Sequence, residues 1–320
     1  MDLTVCICVF NAEKYIEETL SCIINQNRQD FKLLIINDCS TDNSVNLIQD
    51  FFKTNPRQFD LVNFEENQGL AFGRKYAEDY IKTKYVLFVD ADDCPLPNLV
   101  EKLYSRISSD PDLMAVGCHL KYIDSEGRDL NGGIFMGCKS KEEFYQKAEN
   151  EKLIFMQPTA IYNLEIAKQV GGHNIDGFPD GKPRYRDLCE DLDLWTRMSD
   201  LYKEGKAIVV EPEILCKYRK HPQAMSSNAL GMLLRMRHIK SNLKRRRRGI
   251  PEISFLDFQN NLSADELKKL KKEASAAELL RNGYYNIKSG SPLKGCVMIL
   301  KSVISNPKYF KDKIKNNLLR

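Results

Sequence analysis

Val86-Leu87-Phe88-Val89-Asp90-Ala91-Asp92-Asp93 is an apolar, β-branched run that stops abruptly in three carboxylates within four positions. A continuous apolar run is the pattern of a parallel strand buried on both faces, and the carboxyl end of such a strand is where open α/β sheets place their ligands. Like charges this close raise one another's pKa unless a cation or hydrogen-bond donors compensate. Hard oxygens at this density suit Mg²⁺ or Mn²⁺. The competing reading is a polar turn, because Asp93-Cys94-Pro95-Leu96-Pro97-Asn98 also serves as a helix entry.

Outward from this run, apolar segments alternate with amphipathic ones in a βαβ rhythm, which predicts a largely parallel sheet. Leu3 to Phe10, Phe31 to Asn37, Phe59 to Phe64, Tyr85 to Val89 and Leu113 to His119 read as strands. Ala12 to Gln26, a segment beginning near Asp42, Leu70 to Lys82 and Asn98 to Ser109 read as helices. Polar groups gather at the strand ends: Asn11 after the first, Asn37-Asp38-Cys39-Ser40-Thr41-Asp42 after the second, Glu65-Glu66-Asn67-Gln68-Gly69 after the third. Each alone is a helix cap or a turn; together they rim one crevice. Further on, Glu190 and Asp191 open the helical stretch to Arg197, where the helix dipole stabilises carboxylates.

The chain has 320 residues with 42% apolar content, enough for one large domain or a domain with an appendage. Its ten cysteines include no zinc-like CxxC pair; with Cys6-Ile7-Cys8 inside a strand, they read as buried free thiols of a reducing cytosol. Met1-Asp2-Leu3-Thr4 enters the first strand directly and no apolar run approaches bilayer length, so a cytoplasmic location is expected. Neither glycine-rich phosphate fingerprint is present, which argues against dinucleotide-dependent oxidoreductases and P-loop enzymes.

The net charge of +4 hides a division. Residues 229–320 hold 21 Lys and Arg against 7 Asp and Glu, or +14, leaving 27 against 37, or −10, for residues 1–228. An acidic body at 1–228 and a basic helical region at 229–320 suggest a metal-dependent catalytic part joined to an element that seeks an anionic surface. The basic region starts with Leu230, Leu233 and Leu234, passes through Lys244 to Arg248, and restarts at a capping box, Ser263-Ala264-Asp265-Glu266. It ends with Leu293, Val297, Met298, Leu300, Val303, Ile304, Tyr309, Phe310, Ile314, Leu318 and Leu319 among lysines. That pattern fits a helix lying on an anionic membrane; the alternative is an appendage packed on the body with a solvated basic face.

Taken in order, Ile7-Cys8-Val9-Phe10-Asn11-Ala12-Glu13, Ile36-Asn37-Asp38-Cys39-Ser40-Thr41-Asp42, Asn67-Gln68-Gly69 with Arg74, Asp90-Ala91-Asp92-Asp93, and Glu190-Asp191-Leu192-Asp193-Leu194-Trp195 resemble the inverting family-2 glycosyltransferases of GT-A fold. The resemblance covers roughly residues 3 to 225. It implies an α/β, GT-A architecture: a nucleotide-binding, mixed but mostly parallel sheet flanked by helices, followed here by a C-terminal helical appendage. It also implies transfer of a sugar from a nucleotide-diphosphate sugar, commonly a UDP-sugar, to a hydroxyl of a glycan or lipid-linked glycan, as in bacterial surface polysaccharides.

By the same resemblance, Asp38 contacts the base, Val9 to Asn11 with Glu13 close the base and ribose pocket, and Arg74 approaches the nucleotide. Asp90, Ala91 and Asp92 face ribose and diphosphate. Mn²⁺ or Mg²⁺ is held by ligands drawn from Asp92, Asp90, Asp93 and His221. Asp191 is the general base, supported by Glu190, and Arg219 or Lys220 meets phosphate. The chain departs from the family at Cys8, Asn37 and Cys39, where proline, aspartate and glycine are usual. His173 stands where an aromatic residue is usual and reads as solvated. The loop Asp176 to Asp187 is placed near the acceptor, with no role given to Arg184 or Arg186.

Transfer to a polyprenyl phosphate is the nearest enzymatic alternative. Nucleic-acid binding through Arg245 to Arg248 lacks an aromatic-interleaved basic surface, so no nucleic-acid partner is expected. A silent sugar-binding protein has no need for Asp38, Asp92 and Asp191 together.

Overall fold

The computed structural model describes residues 1–156, 159–179, 186–220, 228–288 and 290–311. These fall into two compact units, one within Met1–His221 and Ile239–Glu252, the other within Pro222–His238 and Ile253–Arg320.

In the first unit, β1 (Leu3–Val9), β2 (Lys32–Asn37), β3 (Asp60–Asn63) and β4 (Tyr85–Asp90) lie parallel in the order β3-β2-β1-β4. Helices α1 (Ile16–Ile24), α2 (Ser44–Thr54) and α3 (Leu70–Tyr80) connect them. β1 and β4 are buried along nearly their whole length, as their unbroken apolar runs require. Register sets Val9 beside Asn37, and Cys8 beside both Ile36 and Asp90, so the carboxyl ends of three strands stop at one level. α1 is shorter than the expected Ala12 to Gln26: Ala12 begins a turn in which its carbonyl accepts from Tyr15 and Ile16, both at 2.9 Å.

Beyond β4 the sheet becomes mixed. β8 (Ala160–Asn163) runs antiparallel to β4, followed by β6 (Leu113–Ile123), β9 (Ala207–Arg219) and the short β5 (Cys94–Pro95), with β7 (Asp129–Ile134) paired on β6. β6 runs past the expected His119 because Lys121, Tyr122 and Ile123 continue its parallel pairing with Lys217, Tyr218 and Arg219. β5 pairs antiparallel with β9, Cys94 against Lys217, which brings the triple acid to the end of β9. Helices α4 (Leu99–Ser108), α5 (Lys141–Glu149), α6 (Leu164–Gln169) and α7 (Glu190–Met198) complete this half, with a 3₁₀ turn at Ser199–Glu204.

α8 (Ala229–Arg247) contributes its first ten residues to the second unit and the remainder to the first. Within the first unit Arg246 and Arg247 each donate to Asp200 at 2.5 Å, so part of the Lys244 to Arg248 run is engaged internally. The second unit holds α9 (Phe255–Asn260), α10 (Ala264–Lys288) and α11 (Pro292–Ser305). The capping box at the start of α10 forms: Glu266 N donates to Ser263 Oγ at 3.2 Å, and Glu266 Oε2 accepts from Ser263 N at 2.9 Å. All ten cysteines are free thiols, but not all are buried: Cys8, Cys22 and Cys39 are half-buried and Cys296 is exposed.

Candidate active site

The β1–α1 and β2–α2 loops brace each other. Asn11 N donates to Ser40 Oγ at 3.0 Å while Asn11 Oδ1 accepts from Thr41 N at 2.8 Å. Glu13 N donates to Asp42 Oδ2, and Glu13 Oε2 accepts from Asn43 N, both at 3.0 Å. The positive φ of Asn11 and Cys39, +50° and +58°, costs on the order of 1 kcal/mol or more each and is held by these cross-links. Neither loop supplies a side-chain cap at the residue flanking its helix, Tyr15 or Asn43. Their polar groups join loop to loop, and Asp42 Oδ1 also accepts from Ser44 N at 3.0 Å at the start of α2.

The Val9 carbonyl accepts from Asp38 N at 2.8 Å. The Asp38 carboxylate reaches across to the start of α3: Oδ1 accepts from Gln68 N at 2.7 Å, and Oδ2 from Gly69 N and Asn67 Nδ2 at 2.8 Å. Burial raises its pKa and the two backbone amides oppose that rise. A carboxylate has about four acceptor sites, so these three donors leave about one for a further partner.

Arg74, buried on α3, joins the two acidic motifs. Nη1 donates to Glu190 Oε1 at 2.7 Å and Nη2 to Asp90 Oδ1 at 3.0 Å, with the guanidinium carbon 5.2 Å from the centre of the Phe88 ring. Burial disfavours its charge, but Glu190, Asp90 and Asp191 outweigh that and hold its pKa above the usual arginine range. Burial pushes Glu190 up to about 8 against the pull of Arg74, and raises half-buried Asp90 and Asp191 in the same way. Asp191 Oδ1 accepts from Leu192 N at 2.7 Å at the start of α7. The strand-end acid and the helix-start acids, about a hundred residues apart in sequence, thus share one guanidinium.

The three acids at the end of β4 separate. Asp90 faces Arg74; Ala91 and Asp92 are half-buried, and the Ala91 carbonyl accepts from Thr19 Oγ1 at 3.0 Å. Asp93 turns inward with 0% exposure: Oδ1 accepts from Arg219 N at 3.0 Å, and burial together with Asp92 and Asp90 raises its pKa well above the carboxylate range. Asp93 is therefore removed from the crevice that the cation reading needs. Arg219 is removed as well. It donates to the Asp92, Asp124 and Ser125 carbonyls at 2.8, 3.1 and 3.2 Å and to Glu18 Oε2 at 2.6 Å, and it covers the Tyr15 ring. It braces the acidic loop from behind rather than meeting phosphate. Lys220 Nζ lies 4.6 and 4.7 Å from the ring centres of Tyr122 and Tyr218. His221 lies outside the described residues.

Two carboxylates that received no role prove central to this architecture. Asp187, buried, accepts from Ala71 N at 2.9 Å and seats the amino terminus of α3; burial pushes its pKa up to about 6, opposed by the Ala71 and Leu70 amides. Gly69 enters α3 at φ +88°, where a Cβ would stand 2.7 Å from Asp187 Oδ2. Its glycine is thus required twice, by conformation and by space. The available signal was an acid at the end of a Gly- and Pro-rich loop and a glycine before a helix. Glu78, on α3, is fully buried and accepts from Tyr162 Oη and His173 N at 2.9 Å, with His173 Nδ1 at 2.8 Å. Burial raises its pKa, but His173 and Tyr162 prevail and hold it below the usual range. His173 is therefore buried in a polar network beneath the site, not solvated, because its loop folds under the Phe88 and Tyr162 rings.

Among the described residues no group of three or more His, Cys, Asp or Glu is arranged to hold a metal ion. A divalent cation that takes one or two carboxylates and completes its shell with substrate phosphates needs no such group, and Asp92 with Asp90 fits that mode.

A parallel half-sheet whose strand ends carry braced polar loops and an acidic pair, joined to a mixed half that brings up a helix-start acidic pair, is the arrangement of a GT-A fold. Residues 4–191 match Glycosyl transferase family 2; the chain belongs to that family and is a glycosyltransferase. It is 26% identical over 226 residues to an uncharacterized glycosyltransferase of Haemophilus influenzae, covering 70% of this chain and 67% of that one. It is 40% identical over 91 residues to the teichoic acid poly(glycerol phosphate) polymerase of Staphylococcus epidermidis, covering 28% of this chain and only 13% of that protein. Among solved structures, S. aureus TarS 1–349 in complex with UDP-GlcNAc superposes with a TM-score of 0.56 at 18% identity, covering 93% of this chain and 90% of that one. The mannosyltransferase PcManGT of Pyrobaculum calidifontis, with GDP-Man and Mn²⁺, superposes at 0.50 and 17%, covering 96% and 87%. At these identities the structural likeness speaks for the fold.

Proposed function

We propose that the enzyme transfers a sugar from a nucleotide-diphosphate sugar, with UDP as the nucleotide, to a hydroxyl of a surface glycan or lipid-linked glycan, by a single displacement with inversion. The observation that carries this reading is the double engagement of Arg74, which ties Asp90 at the nucleotide end to Glu190 beside Asp191 at the acceptor end. The remaining acceptor site of Asp38 suits a ring N–H of the base, with the braced Val9, Asn11 and Glu13 loop beside it. Asp92 and Asp90 would hold Mn²⁺ or Mg²⁺ against the diphosphate, where the cation offsets charge growing on the leaving group. His221 is the further ligand of this proposal.

Asp191 takes the proton of the acceptor hydroxyl as that oxygen attacks the anomeric carbon. Its raised pKa moves it toward the range where a base works well near neutral pH. Glu190, held by Arg74, positions it. UDP is favoured by the TarS complex and the surface-glycan acceptor by the S. epidermidis relative. No described helix is long and apolar enough to cross a membrane; we place the enzyme in the cytoplasm, peripheral to the inner face of the cell membrane.

The test is nucleoside-diphosphate release from a panel of UDP- and GDP-sugars with Mn²⁺ or Mg²⁺. Asp191→Asn is expected to lower kcat by roughly 10²–10⁴ with donor KM nearly unchanged, whereas Asp92→Ala weakens metal and donor together. Equal turnover by wild type and both variants would overturn the mechanism.

A further inference from the structure

In the second unit, α11 packs on α10 through a close approach at glycines, with Ile299 and Ile287 beside them. A Cβ on Gly295 would stand 2.5 Å from the Gly283 carbonyl oxygen, and one on Gly283 would stand 2.9 Å from that of Gly295, so the two backbones touch there. Two turns on, Ser302 is buried and donates to the Ala276 carbonyl at 2.7 Å. Four large apolar residues of the same helix face the other way, Leu293, Val297, Leu300 and Ile304 being 84%, 52%, 59% and 71% exposed, while Met298, Ile299 and Val303 are half-buried. Their spacing of four, three and four residues lines them up in one stripe, opposite Gly295 and Ser302. A surface helix of a globular protein turns such a stripe inward; this one turns it outward.

Charge says what the stripe meets. Residues 291–311 contain four lysines, Lys294, Lys301, Lys308 and Lys311, and no acid. Lys294 and Lys301 each follow a stripe residue, Leu293 and Leu300, and so lie along the same flank.

We propose that this stripe is the face through which the chain docks on an anionic lipid bilayer, Leu293, Val297, Leu300 and Ile304 entering the acyl boundary and Lys294 and Lys301 meeting lipid phosphates. The inference rests on the peripheral placement proposed above and assigns it a surface. A second copy of the same face is a poorer occupant, because two-fold pairing sets one all-lysine segment against another.

The experiment is co-sedimentation of the full chain with vesicles of phosphatidylcholine alone or with roughly one-third phosphatidylglycerol. The double variant L300S/I304S is expected to reduce partitioning to anionic vesicles on the order of a hundredfold, about tenfold per apolar side chain. K294Q/K301Q reduces it on the order of tenfold on anionic vesicles and leaves the weak binding to phosphatidylcholine unchanged. All four positions are exposed, so the fold is retained, which circular dichroism checks. If wild type binds and L300S/I304S binds equally well, the placement stands and this face is wrong. If wild type does not bind anionic vesicles, the placement fails with it. A lipid-free dimer abolished by L300S/I304S, with vesicle binding unchanged, assigns the stripe to a second copy. None of these readouts involves a sugar donor, so they stand apart from the chemistry.

Discussion

Arg74→Met removes the guanidinium that bridges Asp90 at the end of β4 and Glu190 at the start of α7. In the wild type the buried guanidinium donates to Glu190 at 2.7 Å and to Asp90 at 3.0 Å. Deleting one member of a buried ionic network typically costs about 3–5 kcal/mol, because it strands the charge of the other. Asp90 and Glu190 both lose their counter-charge, and burial already raises the pKa of each, so uptake of a proton limits the cost. Neutralising a carboxylic acid of ordinary pKa at pH 7 takes about 4 kcal/mol, so the loss of stability is expected at about 2–4 kcal/mol.

The dependence on pH has a definite sign. Without Arg74 the folded-state pKa of Asp90 rises further above its unfolded value, so the folded variant binds that proton more tightly. Its deficit is then small below about pH 4 and widens as pH rises, by at most about 1.4 kcal/mol per unit. Urea midpoints of wild type and variant at pH 5, 6 and 7 measure this. Arg74→Lys should fall between the two, since a compact ammonium satisfies one carboxylate and not both. A deficit that is absent, or the same at every pH, would refute the assignment of Arg74 as the bridge.

Asp93→Asn keeps an oxygen for the Arg219 amide and should retain activity within about threefold and an unchanged Mn²⁺ titration, unlike Asp92→Ala; a lost metal response would return Asp93 to the crevice. Gly69→Ala forces a Cβ to 2.7 Å from Asp187 Oδ2 at φ +88° and should destabilise by about 1–3 kcal/mol, read as a lower Tm together with weaker nucleotide binding. Asp187 has its folded pKa raised to about 6 from 3.8, so its stabilising effect is complete below about pH 4 and lost as pH rises through about 6, on the order of 3 kcal/mol. Asp187→Asn should flatten that part of the stability profile; parallel profiles for variant and wild type would show that Asp187 does not titrate as described.

The sequence by itself determined the fold class and pointed to the residues of a candidate site. Apolar runs long enough to be buried on both faces can only be inner strands, and polar groups that end such runs must meet at the carboxyl edge of the sheet. Asn11, Asp38 and Asp90 were legible as strand-end groups on that logic, because it depends on local pattern and on a topology that the βαβ rhythm restricts, whereas Val9 and Asp191 were reached only through the family resemblance. What each carboxylate does there was decided by tertiary structure. Asp90, Asp92 and Asp93 are near-neighbours in sequence, yet pairing of β5 with β9 turns Asp93 into the interior against Arg219. The same pairing converts Arg219 from an expected phosphate contact into a brace. Asp187 reads as one more loop acid until the approach of α3 gives it the Ala71 amide, and His173 reads as solvated until Glu78, 95 positions away, accepts its hydrogen bonds. These roles depend on partners brought together by packing between distant segments, and periodicity and spacing carry no record of which side chain will lie opposite another.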